Sequence, residues 1–382
     1  MNSIVLTSAE SRPALAAVMP NCLSAIRGET GSLGLPAVRG VIVMLVDGLG
    51  VAPLMARSGH ARRLLSGWDA DATAFSFPST TAAGITQLTT ARAAGENGMV
   101  GYEVWDRTCG VLRNQLSGWG PGMEPASWQL RPTVFEQLRG NGVLPTVISV
   151  AEYADSGLTN ASLRGARFIA GGSMRERCEL AARVSRAAGN HLVYLYHAEL
   201  DQAGHRYGCG SDAWIEQLEE LDAAFAQLLN ELPDDIGVVV TADHGMVDIP
   251  KENYREFNTD LLDGVAAIAG EPRLRHLYLS DPSPRASLEL SQRIADDEAG
   301  QAVVCTRAEA IAAGWFGAVI DPRAEARIGD VLVAATAELT YYAPGTPESK
   351  RRMIGQHGSI TDAETLVPLL RHGAFAGKSA FC

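Results

Sequence analysis

The sequence predicts an α/β fold: a mostly parallel central sheet with helices on both faces, and a small inserted α/β lobe. Two observations predict it. Short apolar runs bounded by turn residues recur along the chain, as strands buried on both faces require. Between them lie segments whose apolar residues recur every three or four positions, the period of a helix packed on a sheet. The clearest strand runs are residues 41–46, 146–150, 192–196 and 238–241. In residues 211–232, Trp214, Leu218, Leu221, Phe225 and Leu228 make one apolar stripe behind Ser211, a residue suited to cap the helix start.

Beyond Pro250 the texture changes. Residues 276–280, 302–306 and 330–336 read as strands, and 285–296 and 307–313 as helices. The expectation is a main domain of residues 1–250 and 345–382, interrupted by a lobe of residues 251–344. Residues 363–370 would return the chain to the main sheet.

Composition narrows the function. With 382 residues, 46% of them hydrophobic and 20% charged, the chain has material for a deep core and is not a disordered or low-complexity sequence. The 44 acidic against 32 basic residues give a net charge of −12, which repels polyanions and disfavours nucleic acid polymers as partners. No apolar run reaches the ~18 residues of a membrane span. Ser8, Glu10, Ser11 and Arg12 interrupt the start of the chain, so a secretory leader is not expected and the protein is read as cytoplasmic. Cys22, Cys109, Cys178, Cys209, Cys305 and Cys382 include no Cys-x-x-Cys pair, which argues for free thiols and against a thiolate zinc site.

In open parallel sheets ligands gather at the carboxyl ends of the strands, so the residues just past each strand matter most. Asp47 succeeds the first run, in Asp47-Gly48-Leu49-Gly50; alone it fits a turn or a helix cap as well as a ligand. Asp243 and His244 come after the run 238–241. After 192–196 come Asp201 and His205, four apart, which on a helix would offer an oxygen and a nitrogen to one cation. His357 lies between glycines in the tail. Carboxylates gathered at one sheet edge repel one another unless cations hold them, so metal binding explains the set better than turn chemistry does. In Pro78-Ser79-Thr80-Thr81, hydroxyls precede an apolar helix-like stretch, residues 82–88. They could cap that helix, or serve as a nucleophile where its free amides favour a phosphate.

Taken in order, these motifs resemble the alkaline phosphatase superfamily, and most closely its nucleotide pyrophosphatase/phosphodiesterase branch. They span residues 47 to 358 and end in Gly355-Gln356-His357-Gly358. The resemblance implies two divalent metal ions, zinc first and manganese or iron as alternatives. One would be held by Asp201, His205 and His357, and the other by Asp47, Asp243, His244 and Thr81. The family pattern of proline, two residues, then threonine selects Thr81 as the catalytic nucleophile, with a threonyl-phosphoryl intermediate. Related phosphodiesterases place Pro-Asn soon after the threonine and a later Gly-Asn whose Asn touches a phosphate oxygen. Here Ala83-Gly84 and Gly101-Tyr102 occupy those stretches. No arginine stands soon after Thr81, unlike the monoesterase that names the superfamily, which favours diesters.

The implied activity is hydrolysis of a small phosphodiester or nucleotide pyrophosphate. Phosphomonoesterase, phosphonate hydrolase and phosphomutase are the alternatives on the same scaffold, and a metal-stabilised binding protein is the non-enzymatic one. For substrate contact the expectation names Tyr102, through its phenol, and Trp105, through stacking. Residues 314–317 (Gly-Trp-Phe-Gly) are expected to line the leaving-group side.

Overall fold

The computed structural model describes residues 4, 6, 11–69 and 72–376. Ser8, Glu10 and Cys382 lie outside them. The strands that position the site are β1 (Gly40–Val46), β2 (Thr73–Phe75), β3 (Val143–Ser149), β4 (Arg167–Ala170), β5 (Asn190–His197) and β6 (Ile236–Thr241). Those of the later region are β7 (Val265–Glu271), β8 (Leu274–Leu279), β9 (Ala302–Thr306) and β10 (Val331–Ala335), before β11 (Leu366–Gly373) rejoins the first set.

Among the described residues the central sheet has seven strands in the order β2-β11-β6-β1-β5-β3-β4. Neighbours from β6 through β4 run parallel, and β11 runs antiparallel to both β6 and β2. Every residue of β1 and of β6 is buried. Successive strand side chains point to opposite faces, so helices must cover both, and each Val, Leu or Ile so buried contributes roughly 1.5–3 kcal/mol. Helix α3 (Asp212–Glu231) packs through Trp214, Leu218, Leu221, Phe225 and Leu228, and the Ser211 hydroxyl accepts the Trp214 amide at 3.2 Å. This is the fold class that the apolar runs predict.

The register sets the site. Val46 lies opposite His197, and Leu45 opposite Thr241, so β1, β5 and β6 end at one edge. The loops that leave these three strands are therefore brought together in space, although they are far apart in sequence. Strand β3 begins at Val143, earlier than the apolar run suggests, because Pro145, which has no amide to donate, disguises its first turn as a loop.

Strands β7 to β10 form their own sheet, antiparallel throughout, in the order β7-β8-β10-β9. Leu277, Leu290, Ile294, Val331 and Val333 make its core, with Leu290 and Ile294 on the helix Pro284–Glu298. Strand β7 is not legible in the sequence because Val-Ala-Ala-Ile-Ala-Gly-Glu has little β-branched character. Residues 314–317 do not line a ligand side. Trp315 and Phe316 are 2% and 0% exposed, and Trp315 packs edge-on to Phe77 at 5.4 Å. An aromatic pair in a loop serves here as core.

Candidate active site

Asp47 stands one residue past β1, where Gly48 turns the chain at φ +71°. A Cβ on Gly48 would come within 2.9 Å of Asp201 Oδ1, so the turn can approach the second carboxylate only as glycine. The Gly48 amide donates to Asp243 Oδ1 at 3.3 Å, and the Tyr196 hydroxyl on β5 donates to Asp47 Oδ2. Asp243 and His244 lie just beyond β6. Helix α1 (Thr81–Thr90) begins with Thr81 and packs so closely on the loop after β6 that a Cβ on Gly84 would stand 2.6 Å from Asp243 Cβ. Gly84 thus lets the helix seat against the Asp243 loop.

Asp201 and His205 lie on helix α2 (Glu199–Tyr207), with His205 Nε2 3.4 Å from Asp201 Oδ2. His357 arrives from the tail because Gly355–Gln356 pairs antiparallel with Val247–Asp248, just beyond His244. The His244 and His357 rings stack with centroids 3.7 Å apart, and His205 and His357 are separated by 5.1 Å. All seven residues proposed as ligands from the sequence therefore meet at one sheet edge.

The histidines share one orientation. Nδ1 of His205 faces the Gly355 carbonyl at 2.8 Å, Nδ1 of His357 faces the Ser79 carbonyl at 2.8 Å, and Nδ1 of His244 faces the Gly245 carbonyl at 3.0 Å. A carbonyl can only accept, so each Nδ1 carries a proton, and Nε2 is the nitrogen left to offer a lone pair to a cation when it gives up its own proton. His244 Nε2 lies 3.2 Å from Asp47 Oδ1, 3.7 Å from Asp243 Oδ2 and 3.2 Å from Thr81 Oγ1.

Buried oxygens Asp47 Oδ1, Asp201 Oδ1 and Asp243 Oδ2 have no hydrogen-bond partner. Ligand atoms of Asp47, Asp243 and His244 lie within 4.8 Å of one another, as do those of Asp201, His244 and His357. Burial, with Asp47 alongside, pushes the Asp243 carboxyl well above the usual range, and burial pushes Asp201 up to about 6. Burial alone would lower His244, but Asp243 and Asp47 raise it to about 10. Burial also favours neutral Asp47, yet its contacts with His244 and Tyr196 outweigh that and lower it. Burial and the neighbouring imidazoles hold His357 well below the usual histidine range. Oxygens without partners and imidazoles with inward lone pairs fit divalent cations of the zinc, manganese or iron type.

Of the three hydroxyls, only Thr81 faces the chemistry. Thr80 occupies the N-cap position but its side chain makes no capping bond, and Ser79 Oγ donates to the Ser359 carbonyl at 2.7 Å. Thr81, Asp47 and Asp201 form one wall of a cavity of about 560 Å³. Its other walls include Leu116, Trp119, Tyr153, Leu158, Phe168 and Tyr196, with no Lys or Arg among the lining residues.

Tyr102 and Trp105 do not line this cavity. Tyr102 is 37% exposed, and Trp105 is half-buried in a two-stranded ribbon opposite Leu112. Trp119 and Tyr153 stand where stacking on a substrate is possible. They are hidden in the sequence because no local periodicity marks a residue brought in from a neighbouring segment. Tyr196 does carry a signal: a hydroxyl inside an apolar strand needs a buried acceptor.

At its strand ends the parallel sheet gathers three carboxylates and three imidazoles around a hydroxyl, a donor set that fits a candidate centre for two divalent cations. The chain belongs to the type I phosphodiesterase / nucleotide pyrophosphatase family, which matches residues 41–360. It is 30% identical over 117 residues to ectonucleotide pyrophosphatase/phosphodiesterase family member 7 from Homo sapiens, a match covering 25% of this chain and 26% of that protein. The fold is similar to phosphonoacetate hydrolase from Sinorhizobium meliloti 1021 in complex with phosphonoformate, with a TM-score of 0.67 and 20% identity, covering 88% of this chain and 91% of that one. It is also similar to an inactive variant of murine ectonucleotide pyrophosphatase/phosphodiesterase 5 in complex with AMP, with a TM-score of 0.65 and 14% identity over 87% and 88% of the two chains. At such identities these structures establish the shared fold.

Proposed function

We propose that the chain is a two-metal phosphodiesterase or nucleotide pyrophosphatase that hydrolyses small phosphoric esters through a threonyl-phosphoryl intermediate. The observation that carries this reading is the position of Thr81: at the first position of helix α1, 3.2 Å from His244 Nε2, and open to the cavity. Asp47, Asp243, His244 and Thr81 would hold one ion, and Asp201, His205 and His357 the other; the donor set suits zinc, then manganese or iron. Bound ions would supply Lewis acidity, favouring ionisation of the hydroxyl and of a water and stabilising charge on the leaving oxygen. Thr81 Oγ1 forms the bond to phosphorus as the ester oxygen departs with the hydroxyl proton, and water then releases the phosphate and restores Thr81.

The cavity supports a substrate with an uncharged aromatic or apolar arm. Phosphonoacetate carries a second anionic group, and burying it beside Trp119, Tyr153 and Phe168 without a cation would cost several kcal/mol. The diester reading therefore stands ahead of phosphonate hydrolysis. A net charge of −12 supports small substrates over nucleic acid polymers. Residues 251–344 are best treated as an inserted lobe on a catalytic domain of residues 1–250 and 345–382, a division supported by the separate sheet of β7 to β10, one face of which has its own core. Among the described residues no helix is long and apolar enough to cross a membrane. Free Cys22, Cys109, Cys178, Cys209 and Cys305 support a reducing, cytoplasmic setting.

The test is metal analysis of the purified chain with turnover of an aryl phosphodiester, an aryl phosphomonoester and phosphonoacetate. Zinc-dependent cleavage of the diester, lost in Thr81→Ala, is expected. Full metal loading with no turnover of any ester would instead indicate a binding protein.

A further inference from the structure

The turn joining β7 to β8 enters the core beneath the candidate site, and Arg273 at its tip is 1% exposed. Its guanidinium grips Glu364, itself 0% exposed, through Nε to Oε1 at 3.2 Å and through a second nitrogen to Oε2 at 2.7 Å. The same guanidinium donates to the carbonyls of Ala337 and Leu339, at 2.6 and 2.7 Å. Such a planar fork fixes direction as well as distance.

Glu364 then holds each arm of the site. Its Oε1 accepts the Ser359 amide at 2.9 Å, two residues beyond His357, and its backbone carbonyl accepts the Gly245 amide at 2.7 Å, one residue beyond His244. Ser359 passes the constraint on: its carbonyl accepts the Ser79 hydroxyl at 2.7 Å, and the Ser79 carbonyl faces His357 Nδ1 at 2.8 Å. Ser359 Oγ closes the circuit by donating to Ala335 on β10 at 2.6 Å. Ser79 and Ser359 are both fully buried, so water cannot replace any of these bonds. On the same turn, Glu271 Oε2 accepts the Tyr102 amide at 3.0 Å, which secures the segment that stands in for the family Gly-Asn.

We propose that Arg273 and Glu364 are a positioning pair through which the region of β7 to β10 sets the register of Thr81, His244 and His357. Neither residue is a proposed ligand or lines the cavity. Their effect passes through Ser359, Ser79 and Gly245. The inference rests on the proposed metal site for its functional consequence, while its structural part stands without metal.

A buried pair can serve stability alone, and replacing both partners with apolar residues separates the two roles, since such exchanges are often tolerated. The test compares wild type, Arg273→Lys, and the double variant Arg273→Met with Glu364→Leu. It measures amide hydrogen exchange over residues 77–81 and 355–361 without metal, and zinc affinity by chelator competition. Faster exchange in both segments and a zinc affinity about 10- to 100-fold weaker, with kcat reduced and KM unchanged, are expected in the double variant. Arg273→Lys, which keeps the charge but loses the fork, should show a smaller change in the same direction. Wild-type exchange and wild-type zinc affinity in either folded variant would overturn the proposal. A wild-type protein that binds no zinc would refute the metal reading instead, and the exchange measurement would still decide this one.

Discussion

The site has two halves that are built differently. Asp47, Asp243 and His244 are at most 3% exposed, stand immediately after strands, and are held by the Gly48 amide and the Tyr196 hydroxyl. Asp201, His205 and His357 come from a helix and a distant tail, and both His205 and His357 are partly exposed. The first half is made by strand register. The second depends on the pairing of Gly355–Gln356 with Val247–Asp248, while Glu364 braces both through the Ser359 and Gly245 amides. A metal group made by register should be rigid and retentive, and one made by docked segments should exchange its ion more readily.

The largest effect that would sharpen this comparison is on Thr81, which belongs to the rigid half. Thr81→Ala should reduce turnover of an aryl diester by at least about 10³-fold while metal content, measured by elemental analysis, stays near wild type. Next come the ligands themselves. His244→Gln should deplete both ions, since its ring falls in both candidate groups, whereas His357→Gln should lose only one equivalent. Equal losses would break the distinction between the halves.

Metal removal comes third. Burial holds Asp201 at about 6 without metal, above its ordinary value of 3.8, so its neutral form favours the fold. That contribution is complete below pH ~3.8 and is lost as pH rises through about 6. In chelator-treated protein, raising the pH from 4 to 7 should therefore lower the melting temperature of wild type relative to Asp201→Asn, and zinc at 100 times its Kd should restore about 2.7 kcal/mol to wild type at neutral pH. A smaller change is expected from Tyr196→Phe, which removes the donor to Asp47 but keeps the ring: about 10-fold weaker zinc binding, read by chelator competition. Smallest of all, Trp119→Ala should raise KM for an aryl diester about 5- to 30-fold and leave zinc affinity unchanged.

The rigid half is the more legible in sequence. Apolar runs that stop at Asp47 and at Asp243-His244 announce both the strand and the residue at its end, because burial and position are written in the same few letters. The spacing of Asp201 and His205 is legible too, since four residues make one helical turn. His357 is not: a lone histidine between glycines gains meaning only from the family resemblance. The aromatic assignments fail for a related reason. Trp105, Trp119 and Trp315 look alike in a linear reading, yet one sits on a ribbon, one lines the cavity and one fills a core.

By itself, the sequence determined the fold class, the strands and helices that carry most of the proposed ligands, and a net charge of −12, because these arise from local periodicity and composition. Tertiary structure alone decided which threonine faces the cavity, which aromatic residues line it, and how Arg273 reaches Glu364 across 91 residues of chain. Those outcomes depend on side-chain contacts between segments far apart in sequence, and close packing settles such contacts only once the whole chain has folded.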